Sequence, residues 1–85
     1  MWIRSQDMKT LVNASEFRIY EERKEFSICS RIELLGKYST EEKALKVMDM
    51  IEDTILKCEA MRTGYAEYDF GAFVFDMPAD KDVEV

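Results

Sequence analysis

Six carboxylates, Glu41, Glu42, Asp49, Glu52, Asp53 and Glu59, crowd into one short segment, a density from which acid–base or metal sites can be built. Their spacing argues otherwise. Lys43, Lys46 and Lys57 are interleaved with them, and Glu42–Lys46 and Asp53–Lys57 stand four residues apart. On a helix that is the pattern of a solvated, salt-bridged face. The chain has no histidine, which removes the commonest general base, the usual partner of a nucleophilic Ser or Cys, and the commonest zinc ligand. Cys58 falls on the apolar side of the same segment and reads as a small buried hydrophobe. Cys29 falls on the polar side of its strand, with no cationic pattern to make it a thiolate. Asp80, Asp82 and Glu84 lack the glycine and spacing of a calcium loop, and the three glycines form no phosphate loop. These residues predict no catalytic group, no metal site and no cofactor, so the chain does not read as an enzyme.

The aromatic residues carry more information. Phe70, Phe73 and Phe75 stand close together, with Tyr65 and Tyr68 just before them and Met77 just after. Read as a strand over 68–77, Phe70, Ala72 and Val74 point one way and Phe73, Phe75 and Met77 the other. Both faces are then apolar, so the strand needs two covers. One helix can supply only one. Phe70, Phe73, Phe75 and Met77 are therefore the candidate interface with another chain.

The helix is the clearest element. Ala44, Val47, Met48, Ile51, Ile55 and Cys58 recur at steps of three and four and share one face. Ser39-Thr40-Glu41-Glu42 predicts a capping box, with Ser39 accepting from the Glu42 amide and the Glu42 side chain reaching back. The helix is expected over about 40–61, with Gly64 as its stop.

Before it, residues 2–6 read as a short strand, 7–10 as a turn and Leu11-Val12-Asn13 as a second extended piece. Phe17, Ile19 and Glu21 alternate with Arg18, Tyr20 and Glu22, and Glu22-Arg23-Lys24-Glu25 is a charged hairpin tip. Residues 26–38 admit two readings: one long bent strand, or two strands with a tight turn near Arg31. Gly36 marks a bulge or a close backbone approach. Pro78 ends the last strand, and residues 80–85 form an acidic, frayed tail. The fold class expected is α+β: a small antiparallel sheet of about four or five strands with one amphipathic helix on one face, in a single domain over 1–79.

With 85 residues the core is small, and a second copy or a partner would help it. Eighteen acidic against twelve basic side chains leave a net charge of −6, which disfavours nucleic acid and anionic membranes as partners. No apolar stretch is long enough to span a bilayer. Two separated cysteines and no signal-peptide pattern suit a reducing cytoplasm.

Ile3-Arg4-Ser5-Gln6-Asp7, Leu11-Val12-Asn13, the stretch from Leu35 to Ala44 with Val47 and Ile51, and Met77-Pro78 together resemble a family of small uncharacterised proteins of Gram-positive bacteria and their phages or other mobile elements. The likeness covers nearly the whole chain. It implies a small cytoplasmic α+β domain and no catalytic residue or cofactor. The function expected is a non-enzymatic protein-interaction module, homodimeric or bound to another protein. The alternative is an acidic inhibitor that occupies a nucleic-acid-binding site on another protein.

Overall fold

The structure, a computed structural model, describes residues 1–63 and 74–85, with side chains for 1–58 and 74–85. The class is α+β. Among the described residues six strands form two three-stranded sheets, where a single sheet of four or five is expected from the sequence.

The first sheet begins with β1 (Trp2–Arg4) and β2 (Leu11–Asn13), paired antiparallel. The expected turn between them closes without glycine. Asp7 holds it instead, accepting from the Ser5 hydroxyl and from the Lys9 amide at 2.9 Å. The Ser5 amide donates to the Thr10 carbonyl at 2.8 Å, and Met8 takes a left-handed φ of 68°.

The second sheet is a meander of β3 (Arg18–Glu22), β4 (Glu25–Ser30) and β5 (Glu33–Tyr38). Arg23 and Lys24 form the first tip with φ of 50° and 64°, the pair of positive values that a type I′ hairpin turn requires. Residues 26–38 are a hairpin, with Arg31-Ile32 as its turn and Arg31 at φ 54°. The usual turn residues are missing there, so nothing local announces the break.

The register then shifts: Ile28 faces Gly36 but Cys29 faces Leu34, which leaves Leu35 as a bulged extra residue. Leu35 and Tyr38 stand three apart and would face opposite sides of a regular strand. The bulge turns both into the core. Gly36 meets both sequence expectations. It flanks the bulge, and a Cβ there would lie 3.0 Å from Tyr38 Oη and 3.4 Å from Met77 Cε.

The helix, α1, spans Glu41–Thr63; Gly64 lies outside the described residues. Its cap differs from the expected box by one residue. Thr40 Oγ1 accepts from the Lys43 amide at 3.1 Å. Ser39 is used elsewhere: its amide and hydroxyl donate to Asp80 Oδ1 at 2.8 and 3.1 Å. The apolar stripe docks as the spacing predicts as far as Ile55. Ala44, Val47 and Ile51 are buried, and Met48 and Ile55 pack against the same core with Ile3, Ile28, Leu35 and Tyr38. Cys58, expected to be buried, is half-buried and lies outside that core.

The last strand, β6 (Val74–Asp76), joins β1 in parallel, with Trp2 beside Val74, Ile3 beside Phe75 and Arg4 beside Asp76. The first sheet is therefore mixed and not wholly antiparallel. Residues 68–73 of the expected strand lie outside the described residues. The acidic tail is docked rather than frayed. Asp80–Asp82 makes a 3-10 turn and Val83 is buried.

Candidate interaction face

The two sheets are joined through Gln6. Its amide nitrogen donates to the Leu35 carbonyl at 2.7 Å. Its side-chain amide then pairs with a peptide unit of β5: Oε1 accepts from the Lys37 amide at 2.9 Å and Nε2 donates to the Lys37 carbonyl at 3.0 Å. Nε2 also reaches the Pro78 carbonyl at 3.2 Å, where the Tyr38 hydroxyl donates at 2.8 Å. The glutamine thus fills the β5 edge as a neighbouring strand would. Residues that are scattered through the sequence, Gln6, Leu35, Lys37, Tyr38 and Pro78, meet in this one cluster, and Ser39 and Asp80 pair beside it. No buried side-chain polar atom among the described residues lacks a partner. The cluster positions the two sheets against each other.

This junction decides which way the first sheet faces. Ile3 is fully buried, Val12 and Phe75 pack against the core, and Met77 is buried. Side chains alternate along a strand, so Trp2, Arg4, Leu11, Asn13, Val74 and Asp76 share the opposite, outer face. Trp2, Leu11 and Val74 are 37%, 48% and 39% exposed. The structure thereby revises the candidate interface. Met77 is buried within the protomer and Phe75 is half-buried there, while Phe70 and Phe73 lie outside the described residues. Val74 is not buried; it stands in the open beside Trp2. Sequence reasoning missed Trp2 and Leu11. Their one signal is alternation with Ile3 and Val12, in strands too short to show which side is inward.

The remaining candidates that the structure describes stand on the surface or half-buried, and the Glu59 side chain lies outside the described residues. Asp53 and Lys57 close an exposed ion pair at 3.0 Å, whereas Glu42 and Lys46 do not come within 4.0 Å. Arg18–Glu16, Lys37–Glu25 and Lys43–Asp80 add pairs at 3.8, 3.9 and 3.6 Å. No group of three metal-ligating side chains converges among the described residues. Cys29 and Cys58 are half-buried free thiols, and burial pushes the Cys29 thiol up. Burial, with the Asp80 carboxylate adding to it, raises the Tyr38 hydroxyl far above its usual range, so it stays a donor at neutral pH. An open depression of about 360 Å³ lies between β2 and the Arg31-Ile32 turn, lined by Asn13, Ser15, Ser30 and Glu33 among others. No helix among the described residues is long and apolar enough to cross a membrane. Comparison with protein families, with curated proteins and with solved structures yields no match.

Proposed function

We propose that this chain is a small non-enzymatic protein-interaction module of the cytoplasm whose partner is a second copy of itself. The observation that carries the reading is the outer face of the first sheet, where Trp2 and Val74 stand side by side and exposed, with Leu11 on the neighbouring strand. Tryptophan and arginine are the residues most often found at the energetic centre of a protein interface, and this face offers both. The small core supports the reading, because association adds burial that a chain of this size lacks. The resemblance to the family of Gram-positive bacteria and their mobile elements agrees with it and assigns no activity.

The alternative, an acidic inhibitor in another protein's nucleic-acid-binding site, has less support. Glu16, Glu25, Asp53 and Asp80 each stand near a cation, so the surface they form is mixed in sign.

Sedimentation velocity across the micromolar range tests the proposal. A dimer that Trp2→Glu converts to a folded monomer is the expected result. A wild-type chain that stays monomeric up to about 1 mM defeats the reading, since specific self-association weaker than that is not functional at ordinary abundance.

A further inference from the structure

The pattern of side chains on the outer face of the first sheet defines how two copies would meet, an inference that rests on the dimer reading above. The register sets the face out as two rows across three strands. One row is Leu11, Arg4 and Asp76; the other is Asn13, Trp2 and Val74. Two copies related by a two-fold axis must present a face that complements itself. Few placements of that axis satisfy this pattern. An axis along β1 stacks Arg4 on Arg4 of the other copy. An axis between β2 and β1 sets Arg4 against Leu11 and leaves its charge unanswered. An axis across the strands sets the Asp76 carboxylate against Val74. An axis parallel to the strands and between β1 and β6 brings Arg4 over Asp76 and Trp2 over Val74, and does each twice.

We propose that the homodimer is isologous and face to face, with the axis between β1 and β6. The Arg4 guanidinium of each copy pairs with the Asp76 carboxylate of the other, and each Trp2 ring covers the other copy's Val74. Packed sheets stand about 10 Å apart, a gap that long side chains such as Arg and Trp can bridge. Three-residue strands give a small contact, so the association is of the weak class.

Charge reversal tests the pairing. Arg4→Asp alone sets two carboxylates against each other across the axis, and Asp76→Arg alone sets two guanidinium groups. Each should weaken self-association by about tenfold or more. In an equimolar mixture of the two variants, the introduced carboxylate of one chain meets the introduced guanidinium of the other. The unaltered Arg4 and Asp76 of the two chains meet likewise, so affinity should recover to within about threefold of the original. A role confined to one protomer does not respond to mixing, because each variant chain keeps its own like charges side by side. The single tryptophan gives a second readout in the unaltered chain: Trp2 emission should shift to the blue over the concentrations at which the dimer forms. If the wild type dimerises but Trp2 emission does not move, or folded single variants associate as tightly as wild type, or the mixture stays monomeric, this arrangement is wrong and the dimer reading stands. If the wild type itself does not dimerise, the earlier reading fails.

Discussion

The two sheets of this small protein are assembled by different means. The meander β3-β4-β5 is local: each strand pairs with the next, through tips of two residues. The sheet β2-β1-β6 is built from three-residue strands, and one of them comes from the far end of the chain. The meander carries most of the helix packing, whereas the first sheet is held by Gln6, by Tyr38 through Pro78, and by Asp80 on Ser39. Local pairing costs little loop entropy and can form early, while the first sheet needs the rest of the fold in place. Both halves carry exposed apolar side chains, Tyr20, Ile32 and Leu34 on the meander and Trp2, Leu11 and Val74 on the first sheet, but only the second set sits on the half that depends most on tertiary structure.

The largest effect should come from the shared core. Ile51→Asp places a carboxylate where the side chain is 2% exposed, within the shared hydrophobic core, and is expected to cost more than about 4 kcal/mol and unfold both sheets together. Circular dichroism would show it. Retention of a folded meander would mean that the two halves are less coupled than the shared core implies.

Gln6→Ala separates the halves more selectively. It removes three side-chain hydrogen bonds at the junction and should cost about 2 kcal/mol. In hydrogen exchange, the β1 and β6 amides should lose protection well before those of β4. Uniform loss would contradict the division drawn above.

Gly36→Ala strains the same junction from the β5 side, because its Cβ would stand 3.0 Å from Tyr38 Oη and 3.2 Å from Tyr38 Cε2. A loss of about 1 kcal/mol in a denaturant titration is expected. Lys24→Gly acts on the meander alone. It relieves a non-glycine residue at φ 64° and should stabilise the protein by up to about 1 kcal/mol, slowing exchange of the meander amides while first-sheet exchange stays as it was.

The last prediction concerns pH. The Ser39 amide holds the Asp80 carboxyl below its ordinary value of 3.8; the Ser39 hydroxyl and Lys43 add to this against the opposing effect of burial. A carboxyl depressed in the folded state contributes stability above its unfolded value, and that contribution disappears as pH falls through the lower folded value. The difference in Tm between wild type and Asp80→Asn should therefore be full at about pH 6 and shrink below about pH 4. A constant difference down to strong acid would show that Asp80 acts by shape and not by charge.

Several elements were readable because their causes are local. The stripe from Ala44 to Ile55 predicts the docked helix face, since side chains three and four apart must share a side. Alternation at 17–22 and the charged tip after it predict the first hairpin. Other features have no local cause. The Arg31-Ile32 turn uses a left-handed arginine that surrounding structure must enforce. Ser39 and Thr40 can both cap, and the choice between them falls to Asp80, forty-one residues from Ser39 in sequence. Of the candidate residues Phe70, Phe73, Phe75 and Met77, the two described ones, Phe75 and Met77, turn toward the core while Trp2, Leu11 and Val74 face outward, for a similar reason: an apolar run cannot say which of its sides the core will take.

Residue order alone therefore dictated the helix, its buried stripe and the hairpin at Arg23-Lys24. These depend on periodicity and residue type over a few turns of chain. Contacts between distant segments settled that β6 pairs in parallel with β1, that Gln6 stands in for a strand at the β5 edge, and that Trp2 faces outward beside Val74. Those outcomes rest on long-range pairing, and a shift of one residue in any of them would turn the other face of the sheet to solvent.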